Sequence, residues 1–316
     1  MANGKELRIL FMGTPDFAAA SLEYLIQNGY TIVGLVCRAD KPKNRGMQIM
    51  PPPCKLVAGA AGLPIYQPET LKDGSFQSVL DETQPDLIVT VAYGRLLPQY
   101  VLDYPKYGCI NLHGSLLPKY RGAAPIQRAV MNGDAVTGVT TMFLSLAMDE
   151  GDMLLKKETP IGPDETAGEL MDRLAVLGAP VLAETIDKIA DGTIVRTPQN
   201  HAEATYAAML DKAEGRMDFA KSAQSLYCVY RGLTPALSVS STFRGKSVKI
   251  TAMHPANEAF AGAAGEIVRA DKNGIVVSCG EGALVVTELA PEGKRAMAAG
   301  DFINGRQVKT GEFFGA

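Results

Sequence analysis

Between Leu7 and His113, four short apolar runs (residues 7–11, 31–36, 86–91 and 108–113) alternate with stretches of helical spacing. That alternation leaves few folds open. The run 31–36 is β-branched and 86–91 is apolar almost without a break, the pattern of parallel strands buried on both faces. Phe17, Leu22, Leu25 and Ile26 recur at helical spacing between the first two runs, and Asn28-Gly29 supplies a stop. Strand, helix and strand repeated over this length predict a doubly wound α/β sheet. Ligands of such sheets bind outside the carboxyl ends of the strands. The first turn, Gly13-Thr14-Pro15-Asp16, carries one glycine, so the dinucleotide fingerprint G-x-G-x-x-G is missing, and no Walker A sequence occurs in the chain. Nicotinamide and ATP chemistry lose their usual support.

Further along, residues 124–131 read as a helix stopped by Asn132-Gly133-Asp134, and 136–144 as a long β-branched strand. An acidic, glycine-containing connector (145–152) leads to a return strand at 153–157. Thr166 opens a helix with Glu169 as its capping-box partner, and Leu170, Leu174, Leu177, Val181 and Ile189 share one face as far as Asp191-Gly192. Then the texture changes. Short strands at 237–243, 246–253, 266–270, 274–279 and 283–289, with turns at Arg244-Gly245 and Asn273-Gly274, predict an OB-fold-like β-barrel. The expected division is a catalytic domain over residues 1–192, a linker over 193–209 and a C-terminal domain over 210–316. A chain of 316 residues can bury two such cores.

Composition narrows the classes. The five cysteines are odd in number and scattered, with no Cys-x-x-Cys, which predicts reduced thiols in a cytoplasm, not a disulfide frame. Three histidines far apart offer a structural metal too few ligands. No apolar run is long enough to cross a bilayer and residues 1–10 lack the apolar core of a signal peptide, so no membrane association is expected. The net charge of −3 is unevenly spread, with a small basic excess from Leu210 onward that mildly favours that half for a polyanion.

Two stretches carry candidate chemistry. In 108–113 the period of a strand puts Asn111 and His113 on one face and Ile110 and Leu112 on the other, so an amide and an imidazole stand together where a strand ends. A lone Asn-x-His would read as a polar strand end. The stretch 38–53 is polar, rich in proline and basic residues and too long for an ordinary connection, so it reads as a functional or solvated loop. Its Lys41, Lys43 and Arg45, with Arg38 beside them, suit phosphates.

The residues after His113 tip the balance. Asn111-x-His113, then Ser115-Leu116-Leu117-Pro118-x-Tyr120-Arg121-Gly122-Ala123-Ala124-Pro125-Ile126-Gln127, closely resembles the signature of the folate-dependent formyltransferase family, in the longer form of its tRNA-acting members. Asp149, in Met148-Asp149-Glu150-Gly151-Asp152, matches the third element of that signature. Met12-Gly13-Thr14-Pro15-Asp16-Phe17-Ala18 and Val91-Ala92-Tyr93-Gly94 resemble it as well. The resemblance implies a Rossmann-like catalytic domain that transfers a formyl group from 10-formyltetrahydrofolate, without a metal, to the amino group of methionine esterified to initiator tRNA. It implies catalysis by Asn111, His113 and Asp149, with Val91, Ala92, Tyr93, Ser115, Leu116, Leu117 and Pro118 lining the folate pocket. It also implies that Lys41, Lys43 and Arg45 meet the tRNA acceptor end, although Met47-Gln48 stand where lysines are common. The C-terminal barrel is expected along the tRNA, and the chain is expected to act as a monomer. Arg121 is open between a structural and a tRNA-facing role.

The chemistry asks for these residue types on its own account. An amine attacking a formamide-like carbon builds negative charge on oxygen, and a neutral amide donor such as Asn111 can stabilise it. An imidazole can donate to that oxygen or relay the amine's proton, and a carboxylate can fix its tautomer and stabilise its protonated form. Two rivals remain at this point: another folate formyltransferase or hydrolase sharing Asn, His and Asp and acting on a small amine, and a non-catalytic RNA-binding protein. The latter leaves Asn111, His113 and Asp149 without a task.

Overall fold

The computed structural model of the chain describes residues 3–43 and 48–315. Its first strands and helices are β1 (Ile9–Gly13), α1 (Asp16–Gln27), β2 (Ile32–Val36), β3 (Lys41–Lys43), β4 (Gln48–Met50), α2 (Pro53–Ala60) and β5 (Ile65–Tyr66). Then come α3 (Gln77–Thr83), β6 (Leu87–Val91), α4 (Gln99–Leu102), β7 (Cys109–His113), β8 (Arg121–Gly122), α5 (Pro125–Met131), β9 (Val136–Phe143), β10 (Met153–Pro160) and α6 (Ala167–Asp191). The remainder is β11 (Tyr206–Ala207), α7 (Ala223–Leu233), β12 (Val239–Phe243), β13 (Lys246–Pro255), β14 (Ile267–Asp271), β15 (Gly274–Ser278), β16 (Ala283–Pro291), β17 (Met297–Ala298) and α8 (Ala299–Arg306). Two compact units emerge: one of residues Met1–Pro125, Val136–Pro160 and Leu170–Ala208, the other of Ile126–Ala135, Ile161–Glu169 and Met209–Ala316.

The first unit is built on a seven-stranded sheet in the order β10-β9-β7-β6-β1-β2-β5. All five residues of β1 and of β6 are buried, as central parallel strands require. The strands from β7 to β5 run parallel, while β9 is antiparallel to β7 and β10 to β9. The chain builds outward from β1 through β2 and β5, then returns to the other side of β1 with β6 and β7. The strand order reverses between β1 and β6, and ligands of such sheets bind outside the carboxyl ends of the strands at that point.

One face of this sheet packs Leu10, Met12, Ile88 and Cys109 against Phe76 and Leu80 at α3 and Val101 of α4. On α6, Gly178 lies so close to Leu112 that a Cβ there would be 2.8 Å from a leucine methyl. The Thr185 and Thr141 hydroxyls share a hydrogen bond of 2.8 Å. The expected capping box of α6 is formed: Thr166 N–H donates to Glu169 at 2.9 Å and Glu169 N–H returns one to the Thr166 hydroxyl at 3.3 Å.

Two stretches differ from their sequence reading. The supposed loop 38–53 holds a short antiparallel hairpin, with Lys41 opposite Met50 and Pro42 opposite Ile49. Proline donates nothing to a ladder, and a three-residue strand in an isolated pair tolerates that loss. Arg45 and Met47 lie outside the described residues, as does the side chain of Lys43. Residues 193–208 bring β11 alongside β8, with Arg121 N–H donating to Thr205 O at 2.8 Å and Ala123 N–H to Ala207 O at 2.9 Å.

The second unit is an antiparallel sheet in the order β12-β13-β16-β15-β14, with β17 on β16. Its two edges meet the same dipeptide: Phe314 bridges Phe243 of β12, and Phe313 bridges Glu266 just before β14. The barrel-like closure leaves a core that includes Leu226, Phe243, Ile250, Val277, Leu289, Phe302 and Phe314. A mixed, mostly parallel α/β unit followed by an antiparallel β unit agrees with the expected fold class. All five cysteines are buried and unpaired; burial pushes the Cys37 and Cys279 thiols up to about 11 and Cys109 to about 12. No helix among the described residues is long and apolar enough to cross a membrane.

Candidate active site

Strand β7 lies between β6 and β9, and its last residues carry the site. Asn111 is opposite Thr90 on β6 and Met142 on β9. The Thr90 hydroxyl donates to the Asn111 amide oxygen at 2.7 Å, which orients the amide and leaves its NH2 as the donor end. Two residues on, His113 is buried on the same face of β7. Its Nε2 is 2.8 Å from Tyr120 O. A carbonyl only accepts, so Nε2 carries the hydrogen and the neutral ring keeps its lone pair at Nδ1.

That Nδ1 is 3.8 Å from Asp149 Oδ2, too far for a hydrogen bond and close enough for an ion pair once the ring gains a proton. Tautomer fixing, expected of Asp149, therefore falls to the Tyr120 carbonyl. Asp149 Oδ2 itself accepts from Gly122 N–H at 2.8 Å. The backbone at Asp149 is left-handed, with φ of +55°. Gln199 donates to the carbonyls of Asp149 and Gly151, and the Arg121 guanidinium grips Gln199 in turn. Arg121 is thereby internal to the fold.

The two segments expected to hold folate leave neighbouring strand ends, since Val91 of β6 and Leu112 of β7 are in register. Thr140 on β9 shapes the second segment: its hydroxyl donates to Ser115 O at 2.7 Å and accepts from Leu117 N–H at 3.1 Å. Ser115 closes the turn through its hydroxyl on Lys119 O at 2.7 Å. Ser115 and Leu117 face inward, Leu117 packing on Met142 and Met153, whereas Leu116 and Pro118 are half-buried. In the first segment Val91 and Tyr93 are buried and Ala92 is exposed. Burial raises the Tyr93 phenol, and the Arg38 guanidinium donates to the Tyr93 and Gly94 carbonyls.

Lys41 is exposed on the β3–β4 hairpin, and no described contact joins it to the Asn111–His113 group. The base of the hairpin is tied by Asp40, whose carboxylate accepts from Lys55 Nζ and Gln67 Nε2 at 2.8 Å each. Those two bonds hold the Asp40 carboxyl below its ordinary range. Among the described residues no cluster of three or more His, Cys, Asp or Glu could hold a metal ion. Thr90, Thr140, Gln199 and the role of the Tyr120 carbonyl went unnoticed in the sequence; their parts run through backbone atoms and long-range pairing, which leave no local motif.

Known proteins give the arrangement its class. The family model described as formyl transferase matches residues 7–186, and that described as formyl transferase, C-terminal domain, matches residues 209–307. With most of the chain so matched, the fold is that of a folate-dependent formyl-group transferase. The methionyl-tRNA formyltransferase of Acetivibrio thermocellus is 46% identical over 98% of this chain and 100% of its own length. That of Citrifermentans bemidjiense is 45% identical over 98% of this chain and 96% of its own. The chain belongs to the methionyl-tRNA formyltransferase family, and its activity is the formylation of methionyl-tRNA. Solved structures agree in fold. The N-formyltransferase from Helicobacter canadensis, in complex with folinic acid and dTDP-3-aminofucose, aligns at TM-score 0.67 and 16% identity, over 89% of this chain and 98% of that one. HypX from Aquifex aeolicus, in complex with tetrahydrofolic acid, aligns at 0.65 and 16% identity over 97% of this chain, which spans 48% of HypX.

Proposed function

We propose that the formyl donor is 10-formyltetrahydrofolate and the acceptor the free amino group of L-methionyl initiator tRNA, giving N-formylmethionyl-tRNA for translation initiation. The observation that carries this reading is the setting of His113, with Nε2–H engaged by the Tyr120 carbonyl and the Nδ1 lone pair facing Asp149. A ring in that tautomer takes the proton of an attacking amine at Nδ1, and the carboxylate opposite stabilises the resulting imidazolium. The Asn111 NH2 donates to the formyl oxygen as charge builds there, an interaction whose removal costs about 2.7–4 kcal/mol in comparable sites. The donor supplies the formyl carbon. As the amine bonds to that carbon and the bond to the folate nitrogen breaks, His113 passes its proton to the departing nitrogen. An α-amino group with an ordinary pKa of about 8 is partly neutral at physiological pH, so the reaction asks for neither a covalent enzyme intermediate nor a metal.

Ala92, Leu116 and Pro118 supply an apolar rim for the pterin, with Val91, Tyr93, Ser115 and Leu117 as the layer that shapes it. Lys41, Lys43 and Arg45 meet the unpaired acceptor end, which basic loop residues read more readily than a groove. Residues 1–192 carry the reacting groups, residues 193–208 pack with them through β11 and Gln199, and 210–316, with their basic excess, lie along the tRNA. The chain works as a monomer in the cytoplasm, where its acceptor is made.

Replacing Asn111 or His113 by Ala should lower kcat for formylation about 10²–10⁴-fold while tRNA affinity stays within about twofold. Parallel loss of tRNA binding and rate would take both residues out of the chemistry. Offering the donor with methionyl initiator tRNA, methionyl elongator tRNA and free amines tests the acceptor; equal formylation of free amines would sink the assignment.

A further inference from the structure

We infer that Gln199 is a positioning residue for Asp149, held in its working orientation by the buried guanidinium of Arg121. The inference rests on the reading of Asp149 as the carboxylate that serves His113. Arg121 is 1% exposed. Its Nε and Nη2 donate to Gln199 Oε1 at 3.0 and 2.8 Å, and its Nη1 is 3.1 Å from Glu150 Oε1. His201 Nδ1 is 3.4 Å from Nη1 and Nη2. A guanidinium has donors and no acceptor, so the Gln199 amide turns its oxygen to Arg121. Its NH2 then faces the opposite way and donates two hydrogen bonds of 2.8 Å, to Asp149 O and Gly151 O. The flipped amide would set NH2 against a cation and oxygen against two carbonyls, so the environment dictates the orientation.

The backbone that Gln199 pins is one that needs pinning. At φ of +55°, Asp149 is in the left-handed region, which aspartate enters more readily than most residues yet still at a cost. Two residues on, Gly151 closes against the end of β9 so tightly that a Cβ would lie 1.9 Å from Phe143 O. With the carbonyls on either side of Glu150 fixed, the Asp149 carboxylate is aimed at Gly122 N–H and at His113 Nδ1. Gln199 is itself buried, and its described hydrogen bonds go to Arg121, Asp149 and Gly151, so it acts through Asp149.

Gln199→Glu keeps an acceptor for Arg121 and removes both donors. Its kcat should fall about 10- to 100-fold, as for a small misplacement of a reacting group, with KM for both substrates within about twofold; its Tm should fall as well, because a carboxylate oxygen then faces two carbonyls. In an Asp149→Asn background the same change should cost less than about twofold more, because the two residues act as one unit. If Gln199→Glu does not fold, as read by circular dichroism, Gln199→Met carries the same expectations. An unchanged kcat, an equal loss in both backgrounds, or a raised KM at unchanged kcat would overturn the inference. Should Asp149→Asn alone leave kcat intact, the reading of Asp149 falls and this inference with it. A crippled Asp149→Asn beside a fully active Gln199→Glu would remove the inference alone.

Discussion

Three demands meet at Gly122. Its φ is +115°, a Cβ there would lie 2.8 Å from Ala207 O, and its N–H donates to Asp149 Oδ2 at 2.8 Å. A residue with a side chain can satisfy the last only by violating the first two. Gly122→Ala should destabilise the protein by about 1–3 kcal/mol and lower kcat, since the shift that relieves the strain also moves the Asp149 anchor. Urea unfolding and steady-state kinetics check this; wild-type values of both would mean that the β8 backbone yields freely. Much of the site was legible at this scale. The period of a strand is enough to put Asn111 and His113 on one face, whatever the rest of the chain does. Asp149 was legible through its motif alone, because no local rule joins it to a histidine well before it in the chain. The Tyr120 carbonyl and Gln199 were not legible at all: a carbonyl has no residue signature, and Gln199 reaches Asp149 across 50 positions.

Among the elements, the β3–β4 hairpin and α7 escaped the sequence reading for different reasons. The hairpin strands are three residues each and one contains Pro42, so no alternation could announce them. In α7, Tyr227, Cys228, Val229 and Tyr230 favour extended chain, and burial of Leu226, Tyr227 and Leu233 overrides that preference. A signal was present nonetheless: Ser222 caps the helix through Ser225 N–H, and Leu226, Tyr230 and Leu233 share a face. For the hairpin, Arg45→Ala should weaken binding of aminoacylated initiator tRNA and reduce the slope of log K against log salt by about 0.7–0.9, the share of one phosphate contact. Binding and slope unaltered in a salt titration would take the hairpin out of the proposed interface.

In the molecule taken whole, closure of the second unit depends on its last residues. Phe314 is buried, with its ring centroid 5.5 Å from that of Phe243 and 6.3 Å from that of Phe219, and its N–H donates to Gly265 O at 2.8 Å. Phe314→Ala should cost about 3–5 kcal/mol by denaturant unfolding, as for other large-to-small changes in packed cores. A loss below about 1 kcal/mol would mean that the barrel edges hold without this ring. The order of apolar runs by itself determined the parallel sheet, the strand-end position of Asn111 and His113 and the antiparallel character of the C-terminal unit, because periodicity and crossover rules act over a few residues at a time. Only the tertiary structure decided which nitrogen of His113 bears the hydrogen, what turns the Asn111 and Gln199 amides, and that Arg121 is an internal clamp. Those outcomes depend on backbone carbonyls and on segments far apart in the chain, and residue type carries no record of either.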